Sequence, residues 1–446
     1  MATQGKWLRT DLTLIGAAIV GAGQSPLPLV TRAPVWDLLE FSSAKAAAAR
    51  ILILADPPTD GATKRVLLER AADAGMKVFV LEGSALRELQ LEDLIGRPMR
   101  AVDWVRIREL ISGRRILITG GGGSIGGELA RRVAGIAPGR LALLDSSEHN
   151  LYRIGLELRD AVPILADVRD PAAVRRWIGD ERPDLVFHTA ALKQVPVVEA
   201  FPCEGVLTNL LGLRNVVEAS HEAGADVLFV STDKAVDPSG VMGASKRLGE
   251  LYCQALDRRG PHRVLPVRLG NVLGSAGSVA PLFQKQLSEG GPLTVTDPDV
   301  TRFFLSIPQA ADSLLQAAAV GLGSQLRGST FVIDMGEALP VVELAREVIR
   351  LSGKRPDADI AIVFTGLRPG EKLHESLVAS EEWREPEPAP GVIAVSSDSR
   401  GLADICEIFD RLTMLARQGA ESAVIKALFE AVGVAAAGQS KAALVG

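Results

Sequence analysis

The stretch ILITGGGGSIGGELA, residues 116–130, constrains the fold more than any other, because an apolar run passes through a glycine cluster straight into a helical pattern. Glycine adopts backbone conformations closed to other residues, so such a turn can be tight and its N–H groups can approach a ligand closely. Around it, RRILITG (114–120), RLALLD (140–145), VPILAD (162–167), DLVFHTA (184–190), DVLFVST (226–232) and RVLPVRLGN (263–271) alternate with amphipathic helical segments. Parallel strands need helical crossovers on both faces, so the alternation predicts an α/β fold, a Rossmann-like doubly wound parallel sheet.

Upstream, RILILAD (50–56), ATKRVLLERAADAG (62–75) and KVFVLEG (77–83) form a strand, helix, strand unit without a phosphate-binding glycine pattern. A linker helix is expected in DWVRIRELISG (103–113). The expected organisation is an N-terminal α/β domain over 1–100 and a dinucleotide-binding domain with the catalytic residues over 101–270. A smaller C-terminal substrate-binding lobe follows over 271–380, then an arm and tail over 381–446. The segment EEWREPEPAPG (381–391) is charged and Pro-rich and reads as a loop or extended arm; the Ala- and Gly-rich tail beyond Gly433 reads as frayed.

With 446 residues, 47% of them hydrophobic, the chain can bury a large core. A formal net charge of -5 argues against a nucleic-acid partner, which wants a basic face. Cys203, Cys253 and Cys406 lack CxxC spacing and the five histidines lack HxxxH spacing, so no disulfide framework and no metal site are expected. The apolar part of residues 12–30 stops at Gly23, short of the roughly 20 residues a span requires, so no integral membrane span is expected. A cytoplasmic protein is expected, with peripheral contact at the inner membrane as the alternative.

Gly120, Gly123, Ser124, Ile125 and Gly126 form the expected pyrophosphate turn. Asp145 ends the second strand, where an acid can accept from ribose hydroxyls, and Ser146 follows it; no Arg comes next to pair with a 2'-phosphate, which favours NAD over NADP. Asp167 and Val168 are expected to flank the adenine, and Ala190, Ala191 and Lys193 to lie near the middle of the cofactor.

In VSTDKAVDPSGVMGASKR (230–247), Lys246 follows Met242 by four residues, a spacing that stacks two side chains on one helix face. Short-chain dehydrogenases carry Tyr and Lys at these places. Met has no titratable proton, so proton transfer must fall elsewhere. Neither Tyr152 nor Tyr252 has a lysine four residues on. Thr232, Asp233 and Lys234 offer an acid and a base side by side at the end of the fifth strand.

HTAALKQVPVVE (188–199), STDKAV (231–236), MGASKR (242–247), RLGNVLGSAGSVAPLF (268–283), VTRFFLSIPQA (300–310) and GLRPGEKLHE (366–375) together resemble one family. It is the CapD-like UDP-N-acetylglucosamine 4,6-dehydratases of bacterial polysaccharide biosynthesis, within the extended short-chain dehydrogenase/reductase superfamily. The resemblance runs from about Leu89 to about Leu377. It implies an NAD-dependent lyase that turns a UDP-N-acetylhexosamine into a UDP-4-keto-6-deoxy sugar for O-antigen or capsule.

On this resemblance residues 1–100 are a truncated form of an extra Rossmann-like domain, and a homo-oligomer is expected. Thr232, Asp233, Lys234, Met242 and Lys246 are the implied catalytic group. Lys193, Asn209, Asn271, Ser278, Arg302, Arg368 and Glu371 are the implied sugar-nucleotide contacts, the two arginines clamping the diphosphate. Met in place of Tyr matches family members with long N-terminal regions. A UDP-sugar 4-epimerase, which normally needs the tyrosine, and a non-catalytic NAD-binding scaffold are the alternatives. Arg268 reads equally well as a nucleotide contact or as a structural ion-pair partner.

Overall fold

A computed structural model describes residues 17–19, 35–37, 51–54, 61–82, 85–91, 93, 102–398 and 400–434. The chain divides into two units. The first comprises Met1–Arg97, Val279–Asp299 and Leu339–Gly366, and the second Pro98–Ser278, Val300–Ala338 and Leu367–Gly446. The lobe expected over 271–380 is thereby divided between them.

In the first unit, the strand Ile51–Leu54 pairs in parallel with Lys77–Glu82 through the helix Gly61–Asp73, and Ala85–Glu88 adds an antiparallel edge. The helix Val341–Leu351 packs on Gly61–Asp73, with Arg350 3.0 Å from Glu69. Of the apolar stretch 12–30 only the strand Ala17–Ile19 is described; the rest lies outside the described residues, as does the tail beyond Val434. Among the described residues no helix is long and apolar enough to cross a membrane.

The second unit is built on a nine-stranded sheet. Its strands are β1 (Arg115–Thr119), β2 (Arg140–Asp145), β3 (Val162–Leu165), β4 (Leu185–His188), β5 (Asp226–Thr232), β6 (Val264–Leu269), β7 (Thr330–Ile333), β8 (Trp383–Arg384) and β9 (Val392–Ser396). The order is β8-β9-β7-β6-β5-β4-β1-β2-β3, parallel from β7 to β3 and antiparallel at β9 and β8. The strand order reverses between β1 and β4, which opens a crevice beyond their carboxyl ends.

Buried side chains alternate between the two faces, as the pleat requires: Leu117 joins one core, and Ile116 and Ile118 the other. The helices α1 (Trp104–Ile111), α2 (Ser124–Ala134), α3 (Glu148–Glu157) and α8 (Ile307–Gly321) cover the second face, while α4 (Pro171–Glu181), α6 (Gly212–Ala223) and α7 (Val241–Arg259) cover the first. The short α5 (Val195–Ala200) follows β4.

The C-terminal region is not an arm. β8 and β9 extend the sheet, and α9 (Leu402–Arg417) and α10 (Glu421–Val432) join the first core, with Phe409 4.8 Å from the Tyr252 ring on α7. The segment 381–391 is anchored by Glu382, whose side chain is buried against Arg247 and Arg268. One of the charges that make this segment look solvated is therefore inside the protein, while Glu381, Arg384 and Glu387 are exposed.

Candidate active site

β1 delivers the chain to Gly120 at φ +67, a left-handed conformation that favours glycine, and α2 starts at Ser124 with no side-chain cap. The first N–H groups of α2 therefore remain available to an anion. A Cβ on Gly120 would lie 2.8 Å from the Ala190 nitrogen, and one on Gly126 would strike the Gly120 carbonyl, so both positions must be glycine. This cradle fits a dinucleotide. Ile125 is half-buried behind it, and the Ser124 hydroxyl accepts from the Ala276 N–H at 3.1 Å.

Asp145 accepts the N–H groups of Gly122 at 3.0 Å and Ser147 at 2.9 Å, so it clasps the glycine turn to β2. A carboxylate has further lone pairs with which to accept a ribose hydroxyl. Ser146 beside it is exposed.

The two residues expected to flank the adenine differ in their surroundings. Asp167 is paired with Arg169 at 2.6 Å. Val168 belongs to the first core and packs on Gly212, so its side chain does not face the crevice, a correction that follows from its place under α6. Ala190 and Ala191 are half-buried beyond β4, and the Lys193 amine donates to Ser275 Oγ at 3.1 Å.

The expected acid–base group stands where β5 ends. Thr232 Oγ1 donates to Asp233 Oδ1 at 2.9 Å, and Lys234 Nζ donates to the same oxygen at 3.0 Å and to Asn271 Oδ1 at 2.9 Å. Asp233 is fully buried, and its Oδ2 has no hydrogen-bond partner. Gly243 of α7 packs directly on the Lys234 carbonyl, where any side chain would collide. Asn271 thus touches Lys234 itself.

Met242 and Lys246 lie on the same face of α7, both buried. Lys246 donates to the Val230 carbonyl at 2.9 Å and sits 4.5 Å from the Phe229 ring centre. Burial lowers its pKa to about 8. His188 is driven to about 3 by burial and by the Lys246 charge, so it is neutral, hydrogen-bonded to Thr119 at 2.7 Å.

The expected sugar-nucleotide residues separate by role. Asn209, in a π-helical turn at 207–211, is buried with both amide donors used, on the Leu192 carbonyl and Ser245 Oγ, while Leu192 N–H donates to its oxygen. These bonds brace the loop at Leu192 against α7.

Arg302 is also buried, donating to the carbonyls of Thr301, Lys372 and Leu373 and to Glu371 at 3.0 Å. Its two terminal guanidinium nitrogens hold the 371–373 segment and the Thr301 carbonyl, whereas Arg368 is exposed. Ser278 Oγ is buried without a partner.

Three features escaped sequence reading, and a fourth, the role of Arg268, was left open by it. Glu199 of α5 is half-buried against the start of α7, accepting the Val241 N–H at 2.5 Å; burial raises it to about 7, against the lowering effect of the Val241 and Met242 N–H groups. Ser245 links Met242 to Asn209. Arg268, fully buried, holds Glu250 at 2.6 Å and Glu382 at 2.6 Å, which assigns it the structural role. Glu375 approaches Lys234 at 3.9 Å. Partners so distant in sequence leave no local pattern; only the quoted GEKLHE and VPVVE runs drew attention nearby.

Residues 116–397 match the family model described as polysaccharide biosynthesis protein. The chain is 42% identical over 311 residues to the capsular polysaccharide biosynthesis protein CapD of Staphylococcus aureus, covering 68% of this chain and 51% of that one. It is 34% identical over 390 residues to the probable polysaccharide biosynthesis protein EpsC of Bacillus subtilis, covering 83% and 62%. The chain thus spans less than two thirds of the length of these relatives. Pen from Bacillus thuringiensis, a solved structure, matches at 30% identity and a TM-score of 0.58, covering 64% of this chain and 87% of that one. The glycine cradle, the reversed strand order and these matches agree: the chain belongs to the polysaccharide biosynthesis protein family.

Proposed function

We propose that the chain is a nucleotide-sugar 4,6-dehydratase that binds NAD and removes water from a UDP-N-acetylhexosamine, UDP-N-acetylglucosamine being the favoured substrate. The observation that carries this reading is the Asp233–Lys234 pair, 3.0 Å apart at the carboxyl end of β5 and steadied by Asn271. An epimerase has no use for a second acid and base beside its cofactor.

Gly120, Gly123 and Gly126, the N–H groups opening α2, and Asp145 would hold the dinucleotide. When bound, NAD supplies a reversible hydride acceptor, taking hydrogen from C4 and returning it to C6. The protein's own groups move the protons. Thr232 relays the 4-hydroxyl proton to Asp233, Lys234 takes the C5 proton made acidic by the 4-keto group, and Asp233 passes its proton to the departing C6 hydroxyl. One water leaves across C5 and C6, and Lys234 gives its proton back to C5 as C6 is reduced, which restores the base. Lys246 holds the cofactor side, Met242 shields it, and Arg368 and Glu371 receive the nucleotide.

Incubation of the purified protein with UDP-N-acetylglucosamine, followed by mass spectrometry of the sugar nucleotide, tests this. Loss of one water is the expected result. An unchanged mass with inverted C4 would replace the reading by epimerisation, and an unchanged sugar nucleotide would sink it.

A further inference from the structure

Glu375 is a buried carboxyl that no step above uses. Its side chain is 2% exposed, Oε1 lies 3.9 Å from Lys234 Nζ, and Oε2 lies 4.0 Å from Lys372 Nζ with no hydrogen-bond partner. Lys372 is engaged elsewhere, donating to the Val236 carbonyl at 2.6 Å. Two cations therefore stand near the carboxyl, yet neither is within hydrogen-bond reach. A buried carboxylate oxygen without a donor costs more in the ionised form than in the neutral acid.

Two carboxyls thus flank one lysine amine, and each keeps one unpartnered oxygen, Asp233 Oδ2 and Glu375 Oε2. Like charges so placed do not both ionise readily. We propose that Glu375 is a positioning residue for the Asp233–Lys234 pair, standing beside the lysine as a neutral carboxylic acid and leaving Asp233 as its counter-charge. The inference deepens the dehydratase reading and, for its effect on turnover, rests on it.

The charges around Glu375 are Lys234, Asp233, Arg302 and Lys372. Burial raises its pKa first of all, Lys234 opposes this, and Asp233 adds to it, with Arg302 and Lys372 opposing. If pH rises far enough to ionise Glu375, a second negative charge holds the proton on Lys234 and slows its use as a base.

The test is infrared spectroscopy of the full chain in deuterated buffer at neutral pH, wild type against Glu375→Gln. The difference spectrum should contain the carbonyl stretch of a protonated carboxylic acid; with E375Q folded, a difference spectrum without that band overturns the proposal. Should E375Q not fold, Glu375→Asp must shift that band, and an unmoved band is equally fatal. In turnover, E375Q should keep about tenfold more kcat than Glu375→Ala at unchanged KM, a difference of about 1.4 kcal/mol. It should also lack the wild type's alkaline fall in rate; superimposable pH profiles overturn the proposal. If no UDP-N-acetylhexosamine is dehydrated by any form, the dehydratase reading fails while the infrared result still decides the state of Glu375.

Discussion

The ammonium of Lys246 donates to the carbonyl oxygen of Val230, 2.9 Å away, from inside a helix that is buried along most of its length. Burial brings its pKa from an ordinary 10.5 to about 8. The unfolded chain therefore binds more protons between those values, and stability rises with pH across that window. At neutral pH the buried charge costs about 3 kcal/mol, from 1.36 kcal/mol per pH unit. Lys246→Met should resist urea better than the wild type at pH 7, with the gap narrowing toward pH 10.5, while losing dehydratase turnover. Equal urea midpoints at both pH values would contradict the assigned burial cost.

Arg268 and Glu382 form a second buried device, 2.6 Å apart and far from any solvent. Burial alone would push Glu382 up, but hydrogen bonding to Arg268 and the charges of Arg268 and Arg247 hold it at about 2. Glu382→Gln leaves Arg268 with its charge only partly matched, so unfolding in urea should show a loss of about 3–5 kcal/mol. A loss under about 1 kcal/mol, the worth of a surface pair, would contradict this burial.

These two pairs mark how far the sequence could be read. The six strands from β1 to β6 were legible because apolar runs, glycines and helical spacing are local signals, and Asp233–Lys234 was legible because the two residues are adjacent. Glu382 was not, since it meets Arg268 across 114 positions and a Pro-rich stretch disguises it. Asn209 and Arg302 carry residue types that suit ligand contact, and only the structure shows both buried with backbone carbonyls among their partners. The union of 279–299 and 339–366 with the N-terminal residues joins separate stretches, which periodicity cannot record.

Two glycines make opposite predictions. A Cβ at Gly126 would strike the Gly120 carbonyl, whereas one at Gly155, within α3, would meet nothing within 4 Å. Gly126→Ala should displace α2 from the glycine turn and weaken NAD binding at least about tenfold, roughly 1.4 kcal/mol. Gly155→Ala should instead add up to about 1 kcal/mol of stability by removing chain entropy from a helix interior. Cofactor titration by nucleotide fluorescence and thermal unfolding separate the two; equal NAD affinity in Gly126→Ala and wild type would remove the cradle assignment.

Asp233 is fully buried, accepts from both Thr232 and Lys234 through one oxygen and leaves the other unpartnered. In the proposed sequence it receives the 4-hydroxyl proton before it can protonate the leaving C6 hydroxyl, so both steps need the same carboxyl. Asp233→Asn preserves shape but can do neither, and general acid–base loss should lower turnover about 10²–10⁴-fold. The two steps are separable: C4 oxidation appears as nicotinamide absorbance in a single turnover, and elimination as loss of water by mass spectrometry. If Asp233→Asn oxidises C4 at the wild-type rate and loses only elimination, Asp233 is an acid without being the shuttle, and another group must take the first proton. Met242 cannot be that group, for its thioether has no proton to exchange, so Met242→Ala should lose packing stability, a few kcal/mol for a buried side chain, before it loses proton transfer.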